Sequence, residues 1–345
     1  MKKAAVLVAG SWGTALASVL ADKQYDVCLW SRNEQQVKEI NEQHTNQRYL
    51  PNATLSSLIR STTSMEAAVV DAEIIVVVAP SHAMRDVMRQ CAPYYREGTL
   101  IVHATKGFEP ETLNRMSEII REEIPSSAKH LAVLSGPSHA EEVIQKLPTT
   151  VVVASHYKAA AEKAQDAFIH PYFRVYTNPD LVGVEVGGAL KNIIALATGL
   201  ANGLGLGDNA KAALITRGLA EIARLGTAMG SSPLTFSGLA GVGDLVVTCT
   251  SQHSRNWRAG YMLGQGAKLD EVLERMGMVV EGVKTTKAAH FLTRKYQVEM
   301  PITEQLYEVL FNGKDSKMAV EDLMVRVKTH EMEEIVAPQY ASWLE

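Results

Sequence analysis

Cysteine is scarce in this chain. Cys28, Cys91 and Cys249 are the only three in 345 residues. They lie far apart, form no C-x-x-C and are odd in number, which argues against a disulfide framework or a zinc site. No metal is expected, and a reducing cytoplasmic setting suits the composition. A basic excess is also missing: Lys plus Arg number 34 against 38 Asp plus Glu, a net charge of -4. Phosphate neutralisation along a nucleic acid needs a basic surface, so no nucleic acid is expected as a partner. A local Lys/Arg cluster can still hold a small anion. Long hydrophobic runs are lacking too. The longest, Ile74 to Ala79, is strand-sized, so no membrane span is expected. Lys2 and Lys3 precede an apolar run, as in a secretion leader. Gly10, Ser11 and Gly13 break that run, and Asp22 and Lys23 follow, so it reads as a strand and a turn. Internal repeats and low-complexity tracts are absent.

What remains is ordinary globular material, 46% apolar and 21% charged. At roughly 150 residues per domain, its length suggests about two domains. The first half alternates. Short apolar runs at 4–8, 27–30, 74–78, 100–102, 131–134, 149–154 and 173–176 are too short for helices and read as buried strands. Helical patterns lie between them, at 34–41, 82–91 and 113–123. Fully apolar strands alternating with helices predict a mainly parallel sheet covered on both faces. After Asn178-Pro179 strand-like runs nearly vanish, and helical stretches at 182–201, 209–229, 282–296 and 302–311 take over. The boundary is placed near Asp180, giving an α/β domain over 1–180 and an all-α domain over 181–345. Gly199, Gly203, Gly205 and Gly207 read as a flexible break between two helices.

The first strand runs into Val8-Ala9-Gly10-Ser11-Trp12-Gly13 and then a helix. Strand, turn and helix in that order form the setting of a dinucleotide fingerprint, in which backbone N–H groups after Gly10 meet a pyrophosphate and Gly13 allows close helix–strand packing. The first fingerprint glycine is replaced by Val8. A turn built for glycine asks of Val a backbone conformation costing about 1–3 kcal/mol, and the branched side chain stands to hold the pyrophosphate off the backbone. The second strand ends in Trp30-Ser31-Arg32-Asn33, with no acid to accept from ribose hydroxyls. Arg32 either pairs with a 2'-phosphate, favouring NADPH over NADH, or is a solvated loop arginine.

In the second half, Lys191 has Gly187, Gly188, Ile194 and Ala195 at its helical neighbour positions, none of them a carboxylate. Such a lysine either snorkels to the surface or is held in a site, where burial suits it to proton transfer. Gly238 to Gly243 brings three glycines in front of Asp244, which is an N-cap, a fixed carboxylate, or both. Ser254-Arg255-Asn256 precedes a helix. Hydroxyl, guanidinium, amide and helix N-terminus together make either a phosphate site or a polar loop. His103 to Gly107, with Lys106, and Ser135 to Ala140 follow strand ends, the edge where ligands bind in open α/β sheets. Ser138 also fits a helix cap, with Glu141 closing a capping box.

Taken together, the turn at Gly10-Ser11-Trp12-Gly13, Lys106-Gly107, Leu134-Ser135-Gly136-Pro137-Ser138, Gly188-Ala189-Leu190-Lys191-Asn192, Gly241-Val242-Gly243-Asp244 and Ser254-Arg255-Asn256 resemble the bacterial NAD(P)-dependent sn-glycerol-3-phosphate dehydrogenases. The resemblance runs through nearly the whole chain, and Val8 is its clear departure. It implies a Rossmann domain followed by an all-helical domain of the 6-phosphogluconate dehydrogenase C-terminal type. It implies Lys191 as the acid/base for interconversion of dihydroxyacetone phosphate and sn-glycerol 3-phosphate. Gly136, Ser138, Asp244, Ser254 and Asn256 are implied substrate contacts. Lys106 is implied to lie between substrate and cofactor, and Arg255 to bridge the substrate phosphate and the cofactor. Ser11, Trp12, Arg32, Ala140, Val279 and Glu281 are implied to line the cofactor path. NADPH is the expected cofactor, with NADH possible. Members of the family supply phospholipid synthesis in the cytoplasm and are commonly homodimers. The rivals are a two-domain reductase of the hydroxyacid or 6-phosphogluconate type, and a nucleotide-binding protein without turnover.

Overall fold

The computed structural model describes residues 2–328 and Glu331. Its first half alternates as the apolar runs require: β1 (Lys3–Leu7), α1 (Ser11–Asp22), β2 (Asp26–Trp30), α2 (Glu34–Gln43), β3 (Ile59–Thr62), α3 (Met65–Val69), β4 (Ile74–Val77), α4 (Met84–Cys91), β5 (Leu100–His103), α5 (Met116–Glu123), β6 (Leu131–Ser135), α6 (Ala140–Ile144), β7 (Thr149–Ala154), α7 (Lys158–Phe168), β8 (Phe173–Asn178) and α8 (Leu181–Gly203). The eight strands form one sheet in the order β3-β2-β1-β4-β5-β6-β7-β8. Every neighbouring pair is parallel except β6 with β7.

Side-chain alternation explains why β1 is apolar throughout. Ala4 and Val6 join the core under α1, with Leu16, Val19 and Leu20. Ala5 and Leu7 face the other way and join Met84, Val87 and Met88 of α4. Strand β3 is absent from the sequence expectations because it buries one face only. Ile59 and Ser61 point in, whereas Arg60 is exposed and pairs with Asp26 at 2.6 Å on this sheet edge. The strand order reverses between β1 and β4, so the ligand crevice of such a sheet opens at their carboxyl ends.

The chain divides into two compact units. One comprises Met1–Ala189 with Leu239–Asp244; the other comprises Leu190–Gly238 with Leu245–Glu345. The division between these units falls within α8, and a short later segment, Leu239–Asp244, returns to the first unit. The described residues of the second unit contain no strand. Its helices are the rest of α8, then α9 (Asp208–Ala228), α10 (Asp244–Thr250, from its second residue), α11 (Arg255–Gly264), α12 (Leu269–Met276), α13 (Glu281–Tyr296), α14 (Pro301–Phe311) and α15 (Ser316–Met324).

Gly199 and Gly203 are not the expected break, because both lie inside α8. A Cβ on Gly199 would come 2.0 Å from the Trp257 carbonyl, and one on Gly260 would come 2.0 Å from the Leu196 carbonyl. The glycines thus let α8 and α11 touch backbone to backbone. Gly205, with φ +80, and Gly207, the N-cap of α9, make the turn itself. Helix α8 is long and apolar enough to cross a membrane, but 94% of its apolar window is buried inside the protein.

Candidate active site

The nucleotide turn begins at Val8, whose φ is +83, the left-handed region that glycine would occupy without strain. Its side chain packs against the cluster of Ala5, Leu7 and Trp30. The Val8 N–H donates to the Trp30 carbonyl at 3.1 Å, and its carbonyl accepts from the Gly10 N–H at 3.0 Å. A Cβ on Gly13 would sit 2.2 Å from that same carbonyl oxygen, so no larger residue fits. Helix α1 has Gly10 as N-cap and no side-chain cap. The N–H groups of Ser11, Trp12 and Gly13 donate to no backbone carbonyl. Three free donors and the helix dipole suit a pyrophosphate, so the turn fits a dinucleotide.

Two residues that sequence reasoning missed brace this turn. Gln36 and Asn46 donate to the Ala9 carbonyl at 2.6 and 3.1 Å, and Asn46 also donates to the Thr14 hydroxyl at 2.8 Å. Nothing in their spacing marks them, since they come from α2 and the loop after it. The Ser11 hydroxyl is turned to the Tyr49 carbonyl at 2.9 Å. At the end of β2, Ser31 bonds Gln36, Asn33 caps α2, and Arg32 is exposed.

A second group gathers where β5 and β6 end, all of it within the first unit. The Lys106 ammonium donates to Asp244 at 2.6 Å, and Asp244 is 1% exposed. A π-type turn over Leu239–Gly243, kinked at Gly241, delivers Asp244 as the first residue of α10. The first unit also holds a buried charge network. Glu185 of α8 accepts from Arg115 at 2.6 Å and from the Ser117 N–H and hydroxyl at 2.7 Å each, and lies 3.1 Å from His103. Burial pushes the Glu185 carboxyl up. The close approach of His103, the Arg115 charge and the Ser117 hydroxyl bond outweigh it, holding the carboxyl down at about 2. The only sequence signal for Glu185 was an acid inside an otherwise apolar helix.

Gly136 follows β6 with φ +129, and the Ser138 hydroxyl donates back to its carbonyl at 2.9 Å. Ser138 therefore does not cap α6. His139 is the N-cap, Ala140 is the buried first helical residue, and Glu141 closes no capping box.

The second unit carries the other residues. Lys191 is 5% exposed and donates to the Thr248 hydroxyl at 2.6 Å, so it is held within the fold and does not snorkel. Asn256 donates to Asn192 and accepts from the Gly282 N–H, both at 2.8 Å, linking α11, α8 and α13. Ser254 is the N-cap of α11, accepting from the Trp257 N–H at 3.2 Å. Arg255 follows it and is exposed. Val279 is half-buried, and Glu281 is the first residue of α13. Thr248 was not singled out from sequence, and Asn192 entered only as the last residue of the Lys191 motif, with no role of its own. Their signals were spacing, one helical turn after Asp244, and adjacency to Lys191. Among the described residues no three His, Cys, Asp or Glu side chains gather to hold a metal.

A doubly wound sheet with a phosphate-ready turn, followed by helices carrying a buried lysine, defines a nicotinamide-nucleotide-dependent dehydrogenase. The comparisons with known proteins narrow this class. The family models for the N-terminus and C-terminus of NAD-dependent glycerol-3-phosphate dehydrogenase match residues 3–161 and 180–321. A glycerol-3-phosphate dehydrogenase [NAD(P)+] of Bacillus licheniformis is 61% identical over 97% of this chain and 98% of its own. That of Bacillus subtilis is 62% identical over the same shares. The crystal structure of glycerol-3-phosphate dehydrogenase from Coxiella burnetii superposes with a TM-score of 0.89 at 40% identity, covering 94% of this chain and 99% of its own. The chain belongs to the NAD-dependent glycerol-3-phosphate dehydrogenase family. D-mandelate dehydrogenase, at 14% identity and a TM-score of 0.61, shares the fold alone.

Proposed function

We propose that this chain reduces dihydroxyacetone phosphate reversibly to sn-glycerol 3-phosphate with NADPH, in the cytoplasm, as a homodimer supplying phospholipid synthesis. NADPH, when bound, supplies the hydride. The observation that carries the reading is Lys191, an ammonium buried in an apolar helix and held by Thr248 at 2.6 Å. A positioned ammonium stabilises negative charge developing on the C2 oxygen and delivers the proton it takes up.

Residues 1–180 serve as cofactor domain and 181–345 as substrate domain. The N–H groups at Ser11 and Trp12 hold the pyrophosphate, while Arg32 takes the 2'-phosphate. Ala140, Val279 and Glu281 line the rest of the cofactor path. Lys106, fixed by Asp244, sits between cofactor and substrate. Gly136, Ser138, Ser254 and Asn256 contact substrate, and Arg255 supports both phosphates as a charged fork. The cap and amide bonds of Ser254 and Asn256 support a positioning share in that contact.

The test follows NADPH absorbance with dihydroxyacetone phosphate, against a semialdehyde lacking phosphate. Turnover with the first and not the second is expected. Equal turnover, or none with either, overturns the reading.

A further inference from the structure

The buried hydroxyls of the sheet find carbonyl partners. Ser61 donates to the Leu29 carbonyl, Ser155 to that of Leu131 and Thr105 to that of Ala79. Ser135 breaks the pattern. It closes β6, is 2% exposed, and its Oγ has no hydrogen-bond partner. A hydroxyl left in that state calls for an explanation.

Its neighbours supply one. Ser135 lies on the same sheet face as Val133, which packs with Val184 of α8. One turn along that helix stands Gly188. A Cβ there would come 2.9 Å from the Ser135 Oγ and 3.6 Å from Cγ of Lys106. Hydroxyl and lysine stem therefore flank one spot that only glycine leaves open. The Lys106 ammonium is held by Asp244 at the same strand ends.

We infer that Ser135 is a binding residue, its hydroxyl hydrogen-bonding an uncharged oxygen of the ligand seated beside Lys106. The inference rests on the proposed function, which supplies two such oxygens: the substrate's carbonyl or hydroxyl oxygen and the nicotinamide carboxamide oxygen.

The experiment compares Ser135→Ala with the unaltered full chain. Removing a hydroxyl that bonds nothing in the protein leaves the melting temperature unchanged or slightly raised. Losing one ligand hydrogen bond lowers kcat/KM for dihydroxyacetone phosphate by about tenfold. A raised KM for dihydroxyacetone phosphate with an unchanged NADPH Kd assigns the oxygen to the substrate. A weakened NADPH Kd assigns it to the carboxamide. A kcat/KM for dihydroxyacetone phosphate and an NADPH Kd both within twofold of the unaltered chain overturn the inference, as does a melting temperature lowered by more than about 5 °C, which marks a structural hydroxyl. If the unaltered chain itself leaves dihydroxyacetone phosphate unreduced, the functional reading fails separately, and the NADPH Kd alone then decides Ser135.

Discussion

Replacing Val8 offers a way to weigh backbone strain directly. At φ +83 a β-branched residue carries about 1–3 kcal/mol of strain. Val8→Gly releases that strain. It also removes a half-buried side chain packed against Ala5, Leu7 and Trp30, worth about 1 kcal/mol, half of a full Val burial. It adds about 0.5–1 kcal/mol of unfolded-chain entropy. The three terms nearly cancel, so the melting temperature should move by only a few degrees. Val8→Ala loses the packing and keeps the strain, so it should be the least stable of the three. At an ordinary strand position glycine is less stable than alanine by about 0.5–1 kcal/mol. Here glycine should win by about 1 kcal/mol, and urea melts of both variants read the difference. NADPH affinity should stay within about threefold of the parent in both. The backbone already holds a glycine-like turn, and the valine side chain packs into the core. An alanine variant as stable as the glycine one would refute the claim of strain.

Lys191→Met, which keeps bulk and loses charge, should lower kcat by roughly 100-fold or more while NADPH Kd is unchanged; near-normal turnover would move the acid/base role elsewhere. Arg32→Ala should weaken NADPH by about 1.5–3 kcal/mol and leave NADH nearly untouched, as titrations of both cofactors would show. Glu221 of α9 is buried and accepts from the N–H groups of Ile302 and Thr303 and from the Thr303 hydroxyl. Burial pushes its carboxyl up to about 7 despite those bonds. A raised folded-state pKa gives stability that is full below the ordinary carboxylate range and lost as pH rises through 7. The chain should therefore lose up to about 3 kcal/mol between pH 5 and pH 8, and Glu221→Gln should flatten that dependence in urea melts; an unchanged slope would acquit Glu221.

The sheet was legible because a two-faced parallel strand such as β1 leaves no polar position, and the long helices were legible from their period. Strand β3 was not, because Ile59-Arg60-Ser61-Thr62 spends half its residues on solvent and looks like a loop. In the candidate site, Lys106, Asp244, Lys191 and the Ser254-Arg255-Asn256 block stood out as polar residues beside glycines or helix starts. Their partners did not. Thr248, Asn192, Gln36 and Asn46 are common residue types whose meaning comes from tertiary approach, which no local pattern encodes. Gly199 and Gly203 misled for a related reason. Glycine serves both turns and close helix crossings, and only the Trp257 carbonyl 2.0 Å from a hypothetical Cβ separates the two uses.

The carboxylate at Glu185 has a consequence for how this sequence can drift. It joins three elements, His103 at the end of β5, Arg115 and Ser117 at the start of α5, and α8 itself. Deleting one charged partner strands the others away from water at about 3–5 kcal/mol, whereas replacing the whole set by fitted apolar residues costs little. Single steps through this region are thus steep, while the joint change is nearly level. His103, Arg115 and Glu185 form one heritable unit, and a chimera that exchanges residues 100–123 alone inherits two of its three members without Glu185.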